Sequence, residues 1–424
     1  MDRIATRRWL WAAGALGLAI RLGYVFAYKQ HAQAAGDAFY YHYQADLLVQ
    51  GKWFVNPASY LLGPHQVLPA ADHPPLWTLV LATAAAVGVK GYLGQLIWAC
   101  VVGAAGAVAL GAAAGALAGP RVGVTAAVVA AVFPDFWIND GLLLSESLIP
   151  LVVGLMVLAW YRFRSRPTAL RAAGVGAATA LAALTRSELV LLVPLGVIWA
   201  AWPARTGARP GRGRLTCALA ALGASVVLIG PWVGFNLARF REPVLISSEL
   251  GATLAYANCD PAYYGPLVGY WSFSCVAAIH QPPGLDGPGQ DAVDRRAAVR
   301  YIEDHETRVP AVVAARLGRD LGLYHPAQQL DLESSALARP ELPAWLGLVG
   351  FYLAVLVAVP GVGVLRRRGL PWWPLLAVVV DTLVAAAVTF GQSRYRVGID
   401  VVVVVLAALA LSAGRPAGAV AALA

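Results

Sequence analysis

The chain has 424 residues, 59% hydrophobic and 13% charged, against about 45–50% and about 25% in a soluble globular domain, so a water-soluble fold is excluded. Its mean hydropathy is +0.64. The formal charge of +9 sits in short arginine clusters beside apolar runs, a placement that orients a chain in a lipid bilayer and speaks against nucleic acid as a partner.

In chain order, Arg3, Arg7 and Arg8 precede a first apolar run near 9–28, which is long and has no small-residue cleavage site after it; it reads as a retained span. Further apolar segments follow near 92–118, 122–138, 147–161, 169–185, 188–202, 215–235, 345–365, 371–390 and 397–413. With the amino terminus inside, three basic clusters face the cytoplasm: Arg162, Arg164 and Arg166; Arg205, Arg209, Arg212 and Arg214; and Arg366, Arg367 and Arg368. The stretch Pro75–Gly88 has about fourteen apolar residues, the length of an interfacial segment, and making it a span would turn the Arg162 and Arg366 clusters outward. The expectation is therefore an all-α polytopic protein of about ten transmembrane helices in the plasma (inner) membrane, with both termini cytoplasmic. It divides into a core over 1–235 with a first outer loop at 29–91, an extracytoplasmic region at 236–344, and carboxyl-terminal helices at 345–424. An amphipathic helix is expected over Asp291–Arg308.

Cys259 and Cys275 fall in the large outer loop, where an oxidising exterior permits a disulfide; two free thiols are the alternative. Cys100 and Cys217 lie inside spans as packing residues. No Cys/His spacing suits zinc, and neither a metal nor another cofactor is indicated.

Under this topology a set of polar residues reaches the outer leaflet: Asp37 and Tyr40 after the first span, Asp72 and His73, Asp135, Asp140 and Glu146, Arg186 and Glu188, and Arg394 and Arg396. Ionisable groups near lipid usually line a cavity. Each has a plainer reading too. Asp37 suits a helix cap, Asp135 and Asp140 suit solvated loops, and Glu146 suits a helix amino terminus. Arg186 and Glu188 suit a mutual pair, His73 a turn, and Arg394 and Arg396 suit lipid head groups. Asp381 lies mid-span.

Acids and arginines at one membrane face suit a lipid-linked phosphosugar. Arginine meets phosphate oxygens in bidentate fashion, and one carboxylate can take the proton of an acceptor hydroxyl. By type, Asp37 is the candidate base, and Tyr40, Asp72, His73, Glu146, Arg186, Arg394 and Arg396 are the candidate substrate-binding residues.

The motifs Gly36-Asp37-Ala38-Phe39-Tyr40-Tyr41 through Gly51, His73-Pro74-Pro75-Leu76, Ser145-Glu146-Ser147-Leu148, and Pro231-Trp232 through Asn236 with Ser247-Ser248 come in the order seen in one superfamily. The sequence resembles GT-C membrane glycosyltransferases, in the branch of protein O-mannosyltransferases and lipid A aminoarabinose transferases. The resemblance covers 1–260 well and the last third by pattern. It implies a polyprenyl-phosphate-linked monosaccharide donor, inverting transfer at the outer face, no nucleotide sugar and no required metal; the acceptor (protein, lipid or glycan) stays open. The family often has Asp-Glu after the first span, whereas Ala38 follows Asp37, so a second acid is unfilled unless Asp72 or Glu146 takes its place. The rival readings are a secondary transporter, for which no repeat between halves is found, and a polysaccharide polymerase or ligase using lipid-linked oligosaccharide.

Overall fold

The computed structural model describes residues 2–201 and 211–413; Arg205, Arg209 and the carboxyl-terminal residues 414–424 lie outside the described residues. Among the described residues the regular structure is helical, with one isolated bridge between Val55 and Pro69. In hydrocarbon a segment must satisfy its own backbone N–H and C=O groups, and a helix does this alone. Among the described residues, six helices are long and apolar enough to cross a membrane: Arg3–Lys29, Tyr92–Ala118, Ser145–Ser165, Gly213–Leu237, Glu341–Arg367 and Ser393–Ala413. A seventh is broken, Pro120–Val132 meeting Pro134–Asp140 at 54°. Pro134 has no N–H to donate and holds Phe133 in extended backbone.

The three other expected segments form the apolar helices Ala169–Ala183, Ser187–Ala201 and Trp373–Val388, shorter than the roughly 20 residues that cross the hydrocarbon core. Two are cut short by polar sequence, Thr185-Arg186 after the first and Thr389 through Arg394 after the third. The chain is an integral, multi-pass membrane protein, in which all the expected apolar segments are helical and six or seven have spanning length.

Helices in lipid associate through close packing of small residues. A Cβ on Gly361 would strike the Leu406 carbonyl, and one on Gly176 the Ala221 carbonyl. These two glycines let Glu341–Arg367 close on Val397–Ala413, and Ala169–Ala183 close on Gly211–Leu237.

The two ends of the bundle differ in chemistry. At one, the Tyr161 hydroxyl donates to the Pro371 carbonyl at 3.3 Å and Trp160 stacks on Trp373 at 5.0 Å, bringing together the loops after Arg162 and Arg366. The other end carries both large inter-helix regions. In the first, helix Asp37–Val49 packs on Pro75–Ala86, a 12-residue helix about 18 Å long. The Leu76 N–H donates to the Leu184 carbonyl at 2.9 Å and the Trp77 indole to the Leu143 carbonyl at 3.1 Å, which ties this helix to the spans.

In the second region the expected amphipathic helix runs over Gly287–Asp304, with a separate turn at Glu306–Arg308. It starts earlier than its charge pattern suggests because Asp286 caps it, accepting from the Gly289 N–H at 3.0 Å, with Pro288 in the first turn. Asp291 on this helix accepts from the Gly251 and Ala252 N–H groups at 2.6 and 3.0 Å, which fixes the start of helix Leu250–Ala257. Cys259 and Cys275 form a disulfide with a Cα–Cα distance of 5.9 Å and a sequence separation of 16. A loop of that size is worth about 3 kcal/mol in the chain-entropy model. The double variant C259S/C275S is therefore expected to melt several degrees lower in detergent; an unchanged melting temperature would mean that the loop is held by packing alone.

Candidate active site

Gly36 has φ +54° and ψ −132°, a conformation open to glycine, and it is the cap residue of helix Asp37–Val49. Asp37 is thus the first helical residue. Its carboxylate turns outward, accepting from Arg394 Nη1 at 3.0 Å and lying 4.0 Å from His73 Nε2. The Asp37 side chain is 35% exposed, so a substrate can reach it. Burial pushes its carboxyl up, but Arg394 and His73 outweigh that and hold it below the usual carboxylate range. Asp37 is therefore ionised and ready to accept a proton.

His73 is clamped by two tyrosines of the same helix: Tyr41 stacks on it at 4.8 Å and Tyr40 meets it edge-on at 4.9 Å. Its Nδ1 lies 3.1 Å from Glu249 Oε2. Glu249 immediately precedes helix Leu250–Ala257, so the capping by Asp291 also places this carboxylate. Burial pushes the Glu249 carboxyl up to about 7, reinforced by Asp37 and Asp72 and opposed by His73. Asp72, next to His73, is likewise raised by burial against the pull of His73.

The arginines come from two short turns. Arg186 stands before turn Ser187–Leu191 and Arg394 in turn Ser393–Arg396. Both reach Glu146 Oε1, Arg186 Nη1 at 2.7 Å and Arg394 Nε at 3.5 Å, and both guanidinium groups cover the Tyr395 ring. Arg186 also pairs with Glu188. Turn Ser393–Arg396 is held from the second large inter-helix region: Glu333 accepts from the Ser393 N–H at 2.7 Å, and Arg339 donates to Glu333 at 2.6 Å and to Ser393 Oγ at 2.9 Å. The Gln392 side chain accepts from Arg394 Nε at 3.0 Å. The arginine that meets Asp37 is thus aimed by a buried, fully paired acid.

Of the residues expected from sequence, Asp37, His73, Glu146, Arg186 and Arg394 form one connected set, with Tyr40 edge-on to His73 and Asp72 beside it. Arg396 is placed elsewhere. It is 1% exposed, pairs with Asp135 and Asp400, and lies 3.7 Å over the Phe351 ring. Asp135 and Asp140 are not solvated loop acids: both are buried, Asp140 on Arg21 and Asp135 on Arg396. Asp381 is buried in its helix with neither carboxylate oxygen paired. Sequence reasoning missed Glu249; its one signal was its place directly after Ser247-Ser248. Among the described residues, no group of three or more His, Cys, Asp or Glu is placed to hold a metal ion.

No family model matches this sequence, and no curated protein matches it. Among solved structures, the apo oligosaccharyltransferase of Archaeoglobus fulgidus aligns with a TM-score of 0.53 at 13% identity, covering 97% of this chain and 50% of its own. The same enzyme, AglB, in complex with an inhibitory peptide and a dolichol-phosphate aligns with a TM-score of 0.54 at 14% identity, covering 96% of this chain and 50% of its own. This chain thus spans about half the length of those proteins. Apo ArnT from Cupriavidus metallidurans aligns over 96% of this chain and 78% of its own at 15% identity, but with a TM-score of 0.42 it carries no weight. At such identities the likeness shows the fold alone: this chain shares its fold with about half of the archaeal oligosaccharyltransferase.

Proposed function

We propose that this chain is a membrane glycosyltransferase that moves a monosaccharide from a polyprenyl-phosphate carrier to an acceptor hydroxyl, with inversion, at the outer face of the plasma membrane. The observation that carries this reading is the pairing of a half-buried carboxylate, Asp37, with Arg394, which shares Glu146 with a second arginine, Arg186, at the end of the bundle away from the Arg162 and Arg366 loops. The ten apolar helices would then all cross or enter the bilayer, with the amino terminus inside and helix Pro75–Ala86 in the outer interface.

In this mechanism the sugar phosphate enters from the bilayer and its phosphate oxygens take hydrogen bonds from Arg394 and Arg186. The acceptor oxygen attacks the anomeric carbon as the carbon–oxygen bond to phosphate breaks, and the bonding pair leaves with the phosphate. Asp37 takes the acceptor proton. The arginines hold more charge on the leaving group than on the ester, so they favour the transition state over the bound donor. The fold likeness supports a lipid-linked donor in general terms, since the AglB complex contains a dolichol-phosphate. Purified protein given radiolabelled sugars on defined polyprenyl phosphates, with mixed protein, lipid and glycan acceptors, is expected to transfer at least one of them. Labelling that places the Arg366 cluster outside would sink the assignment of the outer face.

A further inference from the structure

Asp37 poses a problem as a base that turns over. Arg394 holds it ionised, which favours it as the starting state but makes it a poor place for a proton to rest. After transfer the proton must leave Asp37 before the next cycle. The Arg394 side cannot receive it, because a guanidinium has no acceptor atom. The other neighbour is His73, whose two ring nitrogens face two different carboxylates, Nε2 toward Asp37 at 4.0 Å and Nδ1 toward Glu249 at 3.1 Å.

We propose that Glu249 is the second acid of the site, receiving through the His73 ring the proton that Asp37 takes from the acceptor hydroxyl. This rests on the transfer reading above and adds the residue that completes its proton path. The balance is simple. Protonated Asp37 gives its proton to His73 Nε2, and the Nδ1 proton of His73 passes to the Glu249 carboxylate. Asp37 is again ionised, His73 is neutral in its other tautomer, and Glu249 is the carboxylic acid, from which water removes the proton; the ring regains its Nδ1–H tautomer by proton exchange with water before the next cycle. The first gap must close by about 1 Å to reach hydrogen-bond range, a rotation of the Asp37 carboxyl, or be bridged by one water. The second is already in range.

Three features support this. The ring plane of His73 is fixed by Tyr40 and Tyr41, so both nitrogens stay aimed. Glu249 is 39% exposed, leaving it an exit to water. Burial raises its proton affinity to about 7, with Asp37 and Asp72 adding to the rise and His73 and Arg394 opposing it; Tyr40 and Tyr256 are also close. The proton thus moves from a carboxylate held low to one held high.

The test uses the full-length protein in detergent or nanodiscs. Glu249→Gln is expected to fold, because Asp291, not Glu249, secures the start of the following helix. In the transfer assay, wild-type kcat is expected to fall as pH drops through about 7, since Glu249 must be ionised to accept. Glu249→Gln should lower kcat about ten- to a hundred-fold with donor KM changed less than about two-fold, and should remove that limb. Glu249→Asp should recover part of the rate, and His73→Asn should match Glu249→Gln, with the double variant no worse than either. Wild-type kcat with an intact limb in Glu249→Gln overturns the proposal. So does additive loss in the double variant. An independent reading uses nitrogen-15 histidine spectra, with His73 assigned by His73→Asn. Wild type is expected to carry the ring proton on Nδ1, and Glu249→Ala to lose that preference; an unchanged pattern also overturns it. Wild type that transfers from no donor counts against the transfer reading, while the nitrogen spectra still decide whether Glu249 governs His73.

Discussion

Asp37→Asn is expected to lower sugar transfer by about 10²- to 10⁴-fold, the usual contribution of a positioned general base. Asparagine keeps the size of the side chain and can still accept from Arg394 through its amide oxygen, but it cannot take a proton. The loss should therefore fall on kcat. Donor KM should stay near its wild-type value, because Arg394 then has a weaker internal partner and is freer for phosphate. Full activity in this variant would sink the assignment of Asp37 as base. A loss confined to acceptor KM would instead make Asp37 an acceptor-orienting group. The two are separated by measuring kcat and both KM values in one experiment.

The second large effect is expected at Arg394. A hydrogen bond to a charged group contributes about 1.5–3 kcal/mol, or roughly ten- to a hundred-fold in binding. Arg394→Ala should raise donor KM by about that factor. It should also weaken Asp37 as an ionised group, because burial pushes that carboxyl up and Arg394 leads the opposing pull. The sign follows directly: with the arginine gone, Asp37 binds its proton more tightly, and activity lost on acidification is lost from a higher pH. Arg394→Lys keeps the charge but not the planar fork, so it should restore the pH profile better than the donor affinity. An unchanged donor KM in both variants would remove Arg394 from the phosphate site, leaving Arg186 as the cation nearest Glu146.

Arg394 and Arg396 show where sequence reading reaches its limit. Both end a polar run at the start of an apolar helix, and by type either suits a phosphate. They lie in a 3₁₀ turn, with three residues per turn, so side chains two apart leave in different directions. One meets Asp37 and Glu146; the other enters the core beside Asp135 and Asp400. The helical period alone does not assign these directions, because the turn precedes the helix. Asp135 and Asp140 make the same point from the acidic side. Their partners are 261 and 119 residues away, and no local pattern announces a pair at that separation.

Glu249 is the clearest case. Its neighbours Ser247 and Ser248 belong to a recognisable motif, yet nothing in that motif marks the acid that follows. It matters because helix Leu250–Ala257 is docked by Asp291, which aims the preceding residue at His73 in the other large region. Likewise, Glu333 positions the turn that carries Arg394, although it reads in sequence as an ordinary helical glutamate.

By itself the sequence determined the membrane character, the apolar helical segments, the two large polar regions and most residues of the connected site. These follow from sums along the chain: hydropathy over a window, and residue type at the ends of apolar runs. Only the tertiary structure decided which segments have spanning length, that Arg396 leaves the site, and that Glu249 enters it. Those outcomes depend on which helix ends meet, and that is set by packing between segments far apart in the chain, where a change of one turn redirects a charge from a cavity to the core.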